Sequence, residues 1–289
     1  MDILALLGPA RRGGYAVGAF NAVDYSSARA VVEAAEELQA PVIVQFSVKT
    51  VKYWGCGPIA AWMADLEKRS SAPLSYHLDH CKETDVIREC LTEGWPSVMI
   101  DASSLPFEEN LKTSLEVAGW AAAAGARIEA ELGTIGGVEE DIAVGDDDAR
   151  LVNPAQAIEF CRQVKPAIFA PAIGTAHGVY KGEPRIAFDR LEAIAAQVAI
   201  PLALHGGTGL SEEVFRRCMA LGCAKVNIST QLKYAFIDGF CDCHAANPKD
   251  YEPLKPLDAQ FQRVKAAAKE KIEQFGSAGK AGDARGSAR

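Results

Sequence analysis

Short, nearly continuous apolar runs recur along the chain, and stretches of helical pattern separate them. The runs fall at 15–20, 41–46, 73–77, 97–101, 126–131, 167–172, 201–205 and 224–228. A strand buried on both faces has no solvent side, so it reads as a run rather than as an alternation. The intervening stretches carry helix start signals. Asp24 can cap a helix that buries Val31, Val32 and Ala35, and Asn153-Pro154 pairs a capping side chain with proline at the first turn. Ser211-Glu212-Glu213 places acids at the positive end of another helix. Eight strands alternating with helices predict a TIM (β/α)8 barrel, with a doubly wound sheet as the second choice. From residue 232 to 275 the pattern is helical, broken by a proline-containing segment at 248–256, which adds C-terminal helices to a single domain of residues 1–275. Residues 276–289 are rich in Gly, Ala, Ser, Arg and Lys with no apolar period, and read as a flexible tail.

Charge and cysteine usage narrow the class. A net charge of −8 offers no basic face for nucleic acid, so anions must be bound locally. The eight cysteines are scattered without module-like spacing, which reads as reduced thiols in a cytoplasmic protein. Cys241-Asp242-Cys243-His244 has no matching second pair and sits in a helical pattern, a poor metal set. The apolar run at 3–7 is too short to span a membrane and is followed by Arg11-Arg12 instead of a cleavage site.

Chemistry concentrates where the strands end. Tyr76-His77-Leu78-Asp79-His80 closes the third run, Gly174-Thr175-Ala176-His177-Gly178 follows the sixth, and His205-Gly206-Gly207-Thr208-Gly209 follows the seventh. Three of the five histidines thus stand at strand-to-loop junctions, together with an aspartate. Neutral imidazoles suit a borderline cation such as Zn²⁺, and a carboxylate beside them can move a proton. The period of two puts His77 and Asp79 on one face and leaves His80 for the turn. Asp101, Glu129, Glu131, Asn227 and Ser229 also fall at strand ends, where such barrels carry their active sites. Glycines beside His177 and His205, with Ser229 and Thr230 opening a helix, offer backbone N–H groups to a phosphate. The glycine-rich loop 133–141 carries Glu139, Glu140 and Asp141. It either folds over the site to deliver a carboxylate or is merely solvated.

These segments, in order, resemble the class II, zinc-dependent ketose-bisphosphate aldolases of the fructose- and tagatose-bisphosphate branch. The resemblance runs from Gly18-Ala19-Phe20-Asn21 through Met99-Ile100-Asp101-Ala102-Ser103, Glu129-Ala130-Glu131-Leu132-Gly133 and Val226-Asn227-Ile228-Ser229-Thr230 to Phe275-Gly276-Ser277-Ala278-Gly279-Lys280-Ala281. It implies a phosphorylated ketose as substrate, one Zn²⁺ per subunit with a monovalent cation as an option, and a homodimer or homotetramer. His80, His177 and His205 would ligate the metal, with Asp101 and Glu131 near an alternative position. Asp79 would transfer the proton at the aldehyde oxygen, and Glu139 the proton at the carbon that becomes nucleophilic. Gly178, Lys181, Gly206, Gly207, Thr208 and the turn Asn227, Ile228, Ser229, Thr230 would hold the dihydroxyacetone phosphate half.

The sequence departs from that family at the far end of the sugar. Ser47 is followed by Val48 and Lys49 where the family has a glycine, and the arginines usual near residues 254–261 are missing. Ser47 and Lys49 are therefore the expected aldehyde-end residues. The candidate aldehydes are glyceraldehyde 3-phosphate, sulfolactaldehyde and malonate semialdehyde. The competing classes are a metal-dependent barrel hydrolase, which would want paired carboxylates or a bridging lysine, and a non-catalytic assembly subunit.

Overall fold

The computed structural model describes residues 1–139, 142–144, 151–178, 182 and 184–286, with backbone alone at 136–139 and 142–144. The expectations for Lys181, for the side chain of Glu139 and for residues 287–289 lie outside them.

The barrel is closed by β1 (Val17–Asn21), β2 (Val42–Ser47), β3 (Leu74–Cys81), β4 (Ser97–Ile100) and β5 (Arg127–Leu132), then β8, β10 and β11. Between them a side sheet is built from β6 (Gly136–Glu139), β7 (Ile142–Val144) and β9 (Ala176–His177). The last barrel strands are β8 (Ile168–Pro171), β10 (Leu202–Leu204) and β11 (Cys223–Ile228). The barrel order is β1-β11-β10-β8-β5-β4-β3-β2, and each neighbouring pair is parallel. The eight predicted strands are these eight, within a few residues at their ends.

Alternation along each strand divides the core in two. Val42, Val44 and Phe46 of β2 join the layer between strands and outer helices. Val17, Ala19, Ile43, Ile168, Ala170, Ala203 and Ala224 instead form a second cluster with Ile3, Leu6, Leu7 and Ala10 of the first helix, Ile3–Gly13. That cluster spends the apolar interior positions at one end of the barrel. The positions left toward the C-terminal ends are polar and buried: Asn21, Gln45, His77, Asp79, Glu129, Lys225 and Asn227.

Two sequence expectations are corrected. The third strand does not stop at His77 with His80 in a turn; β3 runs through Cys81. His80 takes a left-handed conformation (φ 43°), and the register against β4 shifts between Leu78 and Cys81. A run cannot disclose such a bulge, because apolar pattern reports burial and not φ. The other concerns the tail. Residues 276–286 are docked: Ser277 is fully buried, Gly279 N–H donates to Leu38 O, and Ala281 N–H donates to Gln39 O. The short helix Ala281–Gly286 buries Ala284 in the cluster beneath the barrel. Small residues gave no apolar signal, although Ser277 and Ala284 are fully buried.

The C-terminal helices are Thr230–Ala246 and Leu254–Gln274, packed on each other, with the second also packed on the helix Tyr25–Glu37. No helix among the described residues is long and apolar enough to cross a membrane.

Candidate active site at the C-terminal ends of the strands

Asp79 and His80 are delivered together by the end of β3, and the left-handed turn at His80 stops strict alternation from sending them to opposite faces. Both are buried, as are His177 and His205. His205 directly follows β10, and its ring stands edge-on to that of His80 with centroids 4.5 Å apart. His177 ends β9, its ring centroid 4.8 Å from that of His80. The nearest donor atoms of the three histidines lie within 4.8 Å of one another, and His80, Asp101 and Glu131 form a second such group.

The remote ring nitrogens are already engaged. His80 Nδ1 lies 3.1 Å from Asp101 Oδ2, and His205 Nε2 lies 2.7 Å from Glu129 Oε1. A carboxylate accepting one imidazole N–H leaves the other nitrogen with its lone pair bare, the usual arrangement behind a metal-binding histidine. The other two nitrogens, His80 Nε2 and His205 Nδ1, meet in a 2.6 Å hydrogen bond whose shared proton a metal ion would replace. Tetrahedral ligands on Zn–N bonds of about 2.0–2.1 Å stand about 3.3 Å apart, so opening by less than about 1 Å fits the pair to such an ion. The donor set thus fits a borderline divalent cation.

Asp79 is anchored by two amides. Asn21 Nδ2 donates to its Oδ2 at 2.9 Å and Asn227 Nδ2 to its Oδ1 at 3.0 Å. Burial alone would push its pKa up, but His80, Lys225 and His205 outweigh that and hold it below the usual carboxylate value. Burial likewise disfavours charge on His80, yet Asp101, Asp79 and Glu131 raise its pKa well above the ordinary imidazole value. Glu131 goes the other way: burial and then Asp101 push its carboxyl well up. Burial, then His80 and Lys225, keep His205 neutral. His77, held by Ser97 Oγ at 2.8 Å, is lowered to about 3 by burial and Lys225. It faces Glu129 inside the barrel and is separate from the three-histidine set.

The glycines have steric work. Gly206 has φ 66°, and a Cβ there would lie 2.4 Å from Ala176 O; one at Gly207 would lie 2.9 Å from Asn227 O. The loop after β10 thus seats against the strand carrying His177 and the strand carrying Asn227 at once. Replacing Gly206 by Ala is expected to lower both melting temperature and metal content, since left-handed strain alone costs on the order of 1–3 kcal/mol and β9 must shift. Unchanged melting and full metal content in Gly206→Ala would remove this packing argument.

At the start of the helix Thr230–Ala246, Ser229 is the N-cap residue but makes no side-chain capping bond, and its Oγ is buried with no hydrogen-bond partner among the described residues. Thr208 is half-buried, Gly178 has φ 90° and Ile228 is fully buried. The backbone of the glycine-rich loop pairs with β9, Gly137 opposite His177, which sets that loop beside the histidines. Ser47 caps the helix Val48–Trp54 by accepting from Thr50 N–H and stands opposite Asp79 in register. Lys49, two residues on, is exposed at the start of that helix.

Comparison with known proteins places this geometry. The profile of the fructose-bisphosphate aldolase class-II family matches residues 1–280. This chain belongs to that family. It is 37% identical over 276 residues to a sulfofructosephosphate aldolase of Alkalicoccus urumqiensis, covering 96% of both chains. It is also 37% identical over 281 residues to a fructose-bisphosphate aldolase of Geobacillus stearothermophilus, again over 96% of each. The crystal structure of the YdjI aldolase from Escherichia coli K12 superposes with a TM-score of 0.84 at 31% identity, covering 97% of this chain and 98% of that one. The protein is therefore an aldehyde-lyase of the class II aldolases, a generally metal-dependent family that acts on phosphorylated sugars. The hydrolase reading falls with that assignment.

Sequence reasoning missed the supports of this aldolase site. Lys225 and Gln45 sit inside apolar runs, and Asn21 carried no role although its segment was noted. A polar residue in a strand buried on both faces was the available signal, because the interior of a small barrel is where it must point.

Proposed function

We propose that the protein is a zinc-dependent aldolase that reversibly cleaves a ketose 1-phosphate or 1,6-bisphosphate to dihydroxyacetone phosphate and an anionic aldehyde. The observation that carries this reading is the convergence of His80, His177 and His205 next to Asp79, with carboxylates behind two of the three imidazoles. His80, His177 and His205 would hold the Zn²⁺, and Asp101 with Glu131 would serve an alternative position beside His80. When bound, the ion supplies Lewis-acid stabilisation of the negative charge that develops on the ketose carbonyl oxygen during cleavage.

The remaining work falls to side chains and backbone. In cleavage, Asp79 takes the proton from the hydroxyl that becomes the aldehyde oxygen; in condensation it returns it. Its two amide anchors and lowered pKa support the ionised, accepting form. Glu139 would move the proton at the carbon that turns nucleophilic. The backbone at Gly178 and Gly206 to Thr208, Lys181, and the turn from Asn227 to Thr230 would hold the phosphate of the dihydroxyacetone half. The buried Ser229 Oγ at a helix N-terminus supports that reading, because such an end binds anions. Exposed Tyr234, Ile237 and Phe240 on the helix Thr230–Ala246 support a homo-oligomer, and eight free cysteines support a cytoplasmic setting.

Fructose 1,6-bisphosphate is the default substrate. A second reading, a 6-sulfo ketose 1-phosphate that yields sulfolactaldehyde, is favoured by Lys49 standing two residues beyond the position level with Asp79. Lysine's compact charge accepts phosphate, sulfonate or carboxylate alike. The test is a panel of ketose 1-phosphates with charged and neutral far ends, assayed for dihydroxyacetone phosphate release. Lys49→Ala is expected to lower kcat/KM about fivefold for charged far ends only, the scale of an exposed ion pair. An equal effect on both kinds would remove Lys49 from recognition, and no release from any member would overturn the function.

A further inference from the structure

Lys225 lies on β11 with its side chain wholly buried inside the barrel. Its Nζ donates to Asn227 Oδ1 at 2.6 Å and pairs with Glu129 Oε2 at 3.0 Å. An asparagine amide has one accepting and one donating end, and a lysine ammonium can only donate. Lys225 therefore dictates that Asn227 turns Oδ1 inward and presents Nδ2 to Asp79. On the other side Gln45 Nε2 donates to Asn21 Oδ1 at 2.7 Å and leaves Asn21 Nδ2 for Asp79, but an amide, which can also accept, does not enforce that choice as an ammonium does. The second partner leads to the histidines. Glu129 offers Oε2 to Lys225 and Oε1 to His205 Nε2, so the ion pair also fixes the carboxylate that orients the imidazole.

We propose that Lys225 is a positioning residue serving both halves of the site, setting Asp79 through Asn227 and His205 through Glu129. This rests on the reading of Asp79 as the proton-transfer group and His205 as a metal ligand. A lysine kept only as a counter-charge for Glu129 would affect folding stability alone; a positioning lysine changes metal affinity and turnover separately.

The full-length protein is compared with Lys225→Met, Lys225→Gln, Glu129→Gln and the double variant Lys225→Met/Glu129→Gln. Zn²⁺ affinity is measured by competition with a chromophoric chelator, and kcat and KM at saturating Zn²⁺. Lys225→Met is expected to lose about tenfold or more in both affinity and kcat, with KM within about twofold, the range seen when a supporting partner of a metal site is removed. Lys225→Gln keeps an N–H for Asn227 but not the charge facing Glu129, so affinity falls while kcat stays within about threefold. In the Glu129→Gln background, Lys225→Met should cost little further affinity, because the two act through one path. Wild-type affinity in Lys225→Gln, equal kcat losses in Gln and Met, or additive affinity losses in the double variant would each overturn the proposal. If Lys225→Met does not fold, Lys225→Gln alone decides, by its affinity loss at preserved kcat. A wild-type protein that binds no Zn²⁺ or releases no dihydroxyacetone phosphate would instead overturn the proposed function, before any variant is compared.

Discussion

Asp79→Ala is expected to lower turnover by roughly 10²–10⁴-fold while the metal content stays at the wild-type level. The carboxylate lies beside His80 in sequence, but its hydrogen bonds run to Asn21 and Asn227, so removing it takes no donor from the three-histidine set. The loss should appear equally in cleavage and condensation, since one group takes and returns the same proton. Folding should survive, because the freed amides can still bond to water in the space left by the carboxylate. Zinc content by elemental analysis beside steady-state assays in both directions checks this. Turnover within a few fold of wild type in a zinc-loaded Asp79→Ala protein would remove Asp79 from the chemistry.

The three histidines should not be equal when replaced. His80 belongs to both candidate ligand sets, the histidine triad and the group with Asp101 and Glu131. His80→Ala should therefore abolish tight Zn²⁺ binding, by more than the roughly 10–100-fold typical of losing only a supporting partner. His177→Ala leaves His80, Asp101 and Glu131 in place, and is expected to retain weak binding with no turnover. His205→Ala removes a triad ligand and also leaves Glu129 without its imidazole, so it should cost stability as well. Calorimetric titration of the metal-stripped variants with Zn²⁺ ranks them. Tighter residual binding in His80→Ala than in His177→Ala would contradict the shared position of His80.

How much of this the residues disclosed depends on the kind of signal. The eight barrel strands were legible because each is sealed on both faces, so Val42 to Phe46 or Ile168 to Ala170 read as nearly continuous apolar runs. Asp79, His80, His177 and His205 drew notice because all four stand at or just beyond the ends of such runs, the last two among glycines. The side sheet was not, since its strands span only four, three and two residues and β6 opens on two glycines. The bulge at His80 was hidden because a left-handed residue other than glycine leaves no mark on hydropathy. Lys225 and Gln45 were hidden because hydropathy marks them only as interruptions of an apolar run, although both are fully buried within strands. Ser47 was legible as a polar residue at the mouth, but its capping of the next helix emerges only from geometry.

The central claim is that metal held by the histidines is required for carbon–carbon cleavage. It is tested most directly by stripping the purified protein with a chelator, verifying metal content, and following dihydroxyacetone phosphate release from fructose 1,6-bisphosphate and the sulfo analogue during Zn²⁺ add-back. The account predicts no release from the stripped protein and full recovery at one Zn²⁺ per chain. Undiminished release from protein shown to be metal-free would contradict it.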